Sequence, residues 1–210
     1  MWPNSAETQE LVEGARGGDA AAVNRLLERH RAALRRMVDM RIDPVLERRV
    51  DASDIVQEVL VEANRRLSDY LQAEPMPFHL WLRSLARDRL IDAHRRHRVA
   101  ARRSIDREQP LAAKRAPDRS TLELIDELCD PGLTPAAAAL REEMAAQFRE
   151  ALDQLSETDR EIVLMRHFEH LTNQEIAQAL DLTEAAASMR YLRAIKRLRG
   201  VLENTGDQST

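Results

Sequence analysis

A pattern of three linked helices fills residues 146–199, and its last two members have few ways to pack. The run Thr172-Asn173-Gln174-Glu175-Ile176-Ala177-Gln178-Ala179-Leu180 reads as a helix, a short turn follows at Asp181-Leu182, and another helix starts at Thr183. Helical spacing turns Ile176 and Leu180 inward from the first of the pair, and Ala187 and Tyr191 from the second. Ala177 is small enough for close approach, and Leu182 plugs the turn. Asp181 stands where such turns favour glycine, and aspartate tolerates a left-handed backbone better than most residues. The spacing predicts a helix-turn-helix, a unit that sets its second helix against DNA. Thr183, Glu184, Ala185, Ser188 and Met189, near the start of that helix, are placed to meet base edges. Arg190, Arg193, Lys196 and Arg197 are placed to hold phosphates.

The overall net charge of -4 looks unsuited to DNA, but its distribution is uneven. Residues 83–119 hold 12 basic and 5 acidic side chains, and residues 185–200 hold 5 basic and none acidic. Residues 120–184, by contrast, hold 4 basic and 15 acidic. Two basic islands in an acidic chain suit two DNA contacts, with acidic surface left for a basic protein partner.

The remainder reads as helical. Few aromatics, sparse Gly and Pro, and abundant Ala, Leu, Arg and Glu favour helices throughout. Gly17-Gly18-Asp19 reads as a stop and an N-cap. Residues 20–42 carry Val23, Leu26, Leu27, Leu34 and Val38 at helical spacing, and Asp43-Pro44 breaks the run. Asp51 caps a helix with the stripe Ile55, Val59, Leu60, Ala63 and Leu67. A loop is expected over 72–77, then a long helix from Phe78 to Ala100 or beyond. That helix has an apolar half (Phe78, Trp81, Leu82, Leu85, Leu90, Ile91) and a basic half (Arg83, Arg87, Arg95, Arg96, Arg98). Phe78 and Trp81 suit the core better than stacking on an unpaired base, because the domain has few other large residues.

Residues 104–138 lose periodicity and contain four prolines, which suits a mobile linker, with a short helix at 122–128. A helix then runs from near Thr134-Pro135 to about Gln154, and the tail from Glu203 reads as disordered. Ser156-x-x-Asp159 and Thr172-x-x-Glu175 match a capping box. The expected architecture is all-α: a bundle over 8–103, a linker over 104–135, a helix-turn-helix domain over 136–202 and a tail over 203–210.

No apolar run is long enough to span a membrane, and the N-terminus lacks a secretion signal. Cys129 is the single cysteine, which fits a reducing cytoplasm. The pairs His94/His97 and His167/His170 are three apart, but nothing completes a metal site around either. No phosphate-cradling glycine loop, nucleophile motif or paired carboxylate points to an enzyme, and no cofactor is implied.

The run Ala151-Leu152-Asp153-Gln154-Leu155-Ser156-Glu157-Thr158-Asp159-Arg160-Glu161-Ile162-Val163-Leu164-Met165-Arg166-His167-Phe168, with Leu171 to Leu182, resembles region 4 of the sigma-70 family. More narrowly it resembles the extracytoplasmic-function sigma factors of bacteria. Asp54-Ile55-Val56-Gln57-Glu58-Val59 resembles region 2.2. Phe78-x-x-Trp81-Leu82, Ala86-Arg87-Asp88 and Ile91-Asp92-x-x-Arg95-Arg96-x-Arg98 resemble regions 2.3 and 2.4. The chain departs from the family at His170, where glycine is usual, and at Ala185-Ala186-Ala187, where Gly-Thr-Val is more typical.

The resemblance implies a factor that binds core RNA polymerase, at the β' coiled coil and the β flap, and directs initiation at promoter DNA. It also allows an anti-sigma factor as a partner. Asp54, Gln57, Glu58 and Glu62 would dock on the polymerase; helical spacing gives them one face, although a solvated face has the same pattern. Arg83, Arg87, Asp88, Arg95, Arg96 and Arg98 would meet the -10 element, and the helix at Thr183 the -35 element. The loop 68–77 matches the family's -10 specificity loop in position. Two other readings remain: a stand-alone helix-turn-helix regulator, and a protein-interaction adaptor that lost DNA binding.

Overall fold

The computed structural model describes residues 2–3, 5–42, 50–103, 124 and 138–206. Asp43-Pro44, Cys129, the tail beyond Gly206 and the expected linker (apart from Leu124) lie outside the described residues, as do the side chains of His97 and Arg98. The chain divides into two compact units, Met1–Ala113 and Lys114–Thr210. Every described element is a helix or a turn between helices, an all-α fold.

In the first unit, α1 (Ser5–Arg16) turns back on α2 (Ala20–Asp39) through Gly17 and Gly18. Gly18 has φ +84°, which an L side chain rarely adopts. Asp19 caps α2, its carboxylate accepting from the Ala21 amide at 2.8 Å. The two helices approach closely at Gly14, where an added Cβ would lie 2.9 Å from that of Ala22. Asp51 caps α3 (Ala52–Ala73) in the same way, accepting from the Ser53 amide at 2.7 Å. Glu74 ends α3 in the left-handed region, and α4 (Phe78–Arg103) starts after Pro77. The loop is therefore shorter than expected. Residues 68–73 are a helical turn, since no breaker precedes Pro75.

Leu26, Leu34, Met37 and Val38 of α2 meet Ile55, Val59, Ala63 and Leu67 of α3 and Leu82, Ala86 and Leu90 of α4 in one core. Phe78 lies edge-on to Tyr70 at 5.4 Å and to His30 at 5.1 Å, and Trp81 stacks on Tyr70 at 4.6 Å. Both aromatics thus belong to the core and its margin. Trp2 packs against it too, with its ring 6.2 Å from His30 and 5.8 Å from His79, so the ordered packing begins before residue 8. Tyr70 donates to the Met76 carbonyl at 3.0 Å and fastens the short loop.

The second unit is built around its last helix. Helices α5 (Ala138–Asp153), α6 (Glu157–His167) and α7 (Asn173–Leu180) all pack on α8 (Glu184–Gly206). Phe148, Ile162, Val163, Met165, Ile176, Ala187, Ala194 and Leu198 are buried between them. Ser156 Oγ caps α6 by accepting from the Asp159 amide at 3.2 Å. At Thr172 both halves of the capping box are present: Thr172 Oγ1 accepts from the Glu175 amide, and Glu175 Oε2 accepts from the Thr172 amide at 2.8 Å. Such a cap contributes about 1 kcal/mol. His170 and Asp181 take φ 55° and 54°, the left-handed turns that carry the chain between helices. Helix α8 continues to Gly206, past the expected domain end at residue 202.

Candidate nucleic-acid interface

Several hydrogen bonds hold the turn between α7 and α8. The Leu182 amide donates to the Ala177 carbonyl at 2.9 Å, and Thr183 Oγ1 accepts from the Ala186 amide at 3.1 Å. Asn173 Nδ2 donates to the Glu184 carbonyl at 3.0 Å, which ties the start of α7 to that of α8. Ile176 and Ala187 are buried as expected, whereas Leu180, Leu182 and Tyr191 are half-buried. Tyr191 is anchored from its hydroxyl, 2.9 Å from His167 Nε2, with the two rings stacked at 5.6 Å.

Opposite this packed side, α8 presents Ala185, Met189, Leu192 and Lys196 at intervals of four, three and four residues. These positions form a single outward line. Met189 is 56% and Leu192 59% exposed. Glu184, Arg193, Arg197 and Arg199 are exposed alongside, and Ser188 is half-buried. Thr183 caps the helix. Arg190 faces inward instead: its Nη1 donates to Asp159 Oδ1 at 2.9 Å, joining α8 to α6. Partial burial pushes the Asp159 carboxyl up, but the Ser156 hydrogen bond and the Arg190 guanidinium outweigh it and hold it below its ordinary value.

On α4 the outward line is Asp88, Ile91 and Arg95, with Arg87 half-buried beside Asp88 at 3.9 Å. Two expectations fail here. Arg83 is 1% exposed, because it shares a helical line with the buried Ala86 and Leu90. It is therefore not on the exposed face of α4. Ile91, expected in the core half, is 51% exposed among the charges. Arg96 is exposed and reaches Glu58 of α3 at 3.8 Å.

On α3, Asp54, Gln57 and Glu58 are exposed on one face, as the spacing predicts. Glu62 departs from them, its side chain only 8% exposed. Three arginines cover it: Arg65 Nη2 at 2.8 Å, Arg66 Nε and, from α4, Arg89 Nη2 at 3.4 Å. The Arg65 hydrogen bond is the main reason its carboxyl stays below the usual range. Glu62 therefore clamps α3 to α4 and is not free to dock on a partner. Its place on the outer face is taken by Val61, 60% exposed, one helical turn beyond Gln57. Sequence reasoning left Val61 and Leu192 without a place. The signal was their helical phase, shared with Asp54 and Met189.

Among the described residues no three metal-ligating side chains converge, and no helix is long and apolar enough to cross a membrane.

Comparison with known proteins agrees with this arrangement. The sequence model for sigma-70 region 2 matches residues 23–99, and that for sigma-70 region 4 matches residues 145–198. The ECF RNA polymerase sigma factor SigD of Mycobacterium tuberculosis is 29% identical over 94% of this chain and 84% of its own length. The RNA polymerase sigma-H factor of Pseudomonas aeruginosa is 26% identical over 94% of each. CnrH, solved in complex with the cytosolic domain of CnrY, shares the fold with a TM-score of 0.60 and 22% identity, over 95% of this chain and 99% of that one. With both regions in order on the fold just described, the chain belongs to the sigma-70 family, in its extracytoplasmic-function branch, and is a promoter-specific transcription initiation factor.

Proposed function

We propose that the first unit docks on core polymerase through the outer face of α3 and meets the -10 element through α4, while α8 reads the -35 element. The observation that carries this is the outward face of α8: exposed Arg193, Lys196, Arg197 and Arg199, with no acid from Ala185 to Gly200, at the end of a capped helix-turn-helix. A rigid helix of that charge suits the major groove. Asp54, Gln57, Glu58 and Val61 offer an acidic face with an apolar end, suited to the basic β' coiled coil. Arg87, Asp88, Ile91, Arg95 and Arg96, together with Arg98 in the same run, form the -10 surface. Binding the unpaired strand there lowers the free energy of strand separation, while the polymerase carries out the chemistry. The subunit itself is not an enzyme.

The second unit further docks on the β flap, and the segment 104–135 links the two in sequence. The protein acts in the cytoplasm, where its polymerase is. An anti-sigma factor is a further partner; CnrH, of the same fold, was solved bound to a protein. Free protein binds promoter DNA weakly.

Run-off transcription with purified core polymerase on fragmented genomic DNA of the host tests the proposal. Discrete starts that require this protein are expected. Stable core binding without starts removes the promoter assignments, and neither starts nor a complex removes the docking assignment as well. The adaptor reading is favoured by the apolar line on α8, and predicts that replacing Arg193 and Lys196 by alanine changes no function.

A further inference from the structure

The outward line of α8 is unusual for a surface that reads bases. Hydrogen-bond readout of a base edge uses side chains such as Arg, Asn, Gln or Glu aimed into the groove. Here the exposed outward line in the first two turns is Ala185 and Met189, and Leu192 extends it. The polar candidates lie to its sides: Glu184 at the helix start, Ser188 half-buried, Arg193 at the flank. Arg190, the first cation of the helix, is turned back to Asp159 at 2.9 Å. A helix laid in the major groove on this face would bring carbon and sulfur to the base edges, with Arg193, Lys196, Arg197 and Arg199 left for phosphates.

The major groove displays one apolar group, the 5-methyl of thymine. We infer that α8 reads the -35 element by packing Met189, with Ala185 beside it, on thymine methyl groups. This deepens the DNA-binding reading above and rests on it. Met189 suits the task because its unbranched, polarisable side chain adapts to the groove floor. Its exposure leaves it free to reach, and the basic residues around it favour nucleic acid over an apolar partner helix. Specificity then comes from methyl burial and fit, and the promoters served should carry thymine on the strand under the first two turns of α8.

The test uses holoenzyme assembled from the full-length protein and core polymerase. A duplex promoter randomised over the -35 element is first selected for binding. Each thymine in the selected element is then replaced by deoxyuridine, which removes only the methyl group. Affinity should fall about fourfold at each contacted thymine, the effect of burying one methyl less. Met189→Ala should weaken binding to the thymine duplex and abolish the difference between thymine and uracil, while Arg193→Ala keeps that difference. A selected element without thymine, or uracil neutral at every position, overturns the inference and leaves -35 binding intact. Retained uracil sensitivity in Met189→Ala overturns the role of Met189. DNA affinity unchanged in both Met189→Ala and Leu192→Ala also overturns it, and assigns the line to a protein partner. If no -35 preference can be selected at all, the DNA-binding reading of α8 fails and this inference fails with it.

Discussion

Arg190 Nη1 lies 2.9 Å from Asp159 Oδ1, so the first cation of the last helix is bonded to its own domain. Arg193, only three residues later, is exposed. The two arginines should separate in experiment. Arg190→Ala should lower the thermal stability of the protein, by roughly 0.2–1 kcal/mol for a partly exposed pair, with a salt dependence of promoter binding close to wild type. Calorimetry with a salt titration of holoenzyme binding checks both.

Phosphate contacts announce themselves through counterion release. Arg193→Ala and Lys196→Ala should each weaken promoter binding across sequences and reduce the slope of log affinity against log salt by about 1. An unchanged slope in both would remove these residues from the DNA contact.

Charge reversal on α3 should act on a different partner. Asp54→Arg with Glu58→Arg is expected to reduce affinity for core polymerase by about tenfold or more, while the helix content stays the same. Glu62→Gln should behave otherwise, since its carboxylate holds Arg65, Arg66 and Arg89 within the protein. It should lower stability and leave the docking face in place. Fluorescence titration of core polymerase and thermal melts separate the two effects.

His30 gives the first unit an acid limit. Its Nδ1 donates to the Leu26 carbonyl at 2.8 Å, and Nε2 meets no hydrogen-bond partner among the described residues. Burial pushes its pKa down to about 4, with the positive charges of His79 and Arg29 adding to the shift against the Leu26 bond. The unfolded chain takes up a proton near the ordinary value of 6.5, whereas the folded chain resists until about 4. Stability is therefore complete above pH 6.5 and falls as pH drops towards 4. At pH 5 the loss from this residue is about 2 kcal/mol. Urea melts from pH 7 to pH 4.5 should show that loss in the wild type and a flatter profile in His30→Asn.

Much of this was legible in the sequence because local rules and tertiary packing agree. The caps at Asp19, Asp51, Ser156 and Thr172 start helices where their side chains promise, and Asp181 and His170 take the left-handed turns a glycine would have marked. What escaped was decided by the third dimension. Arg83 and Glu62 are charged and were read as surface, yet helical phase buries one among Ala86 and Leu90 and folds the other under three arginines. Ile91 errs in the opposite direction, and Val61 and Leu192 were given no place, whereas Met189 is exposed as its position predicts. Each was apolar and none is covered, and periodicity alone does not tell which side of a helix will find a partner.

The arginines around Glu62 have a mechanical consequence. Arg89 crosses from α4 to the same carboxylate that Arg65 and Arg66 hold from α3, and Arg96 reaches Glu58 further along. The two helices share a core and these cross-links, with Val61 exposed on α3 and Ile91 exposed on α4. Under the proposed assignment, whatever grips α3 sets the angle of α4, so seating on a large partner would also aim the helix proposed to meet the nucleic acid.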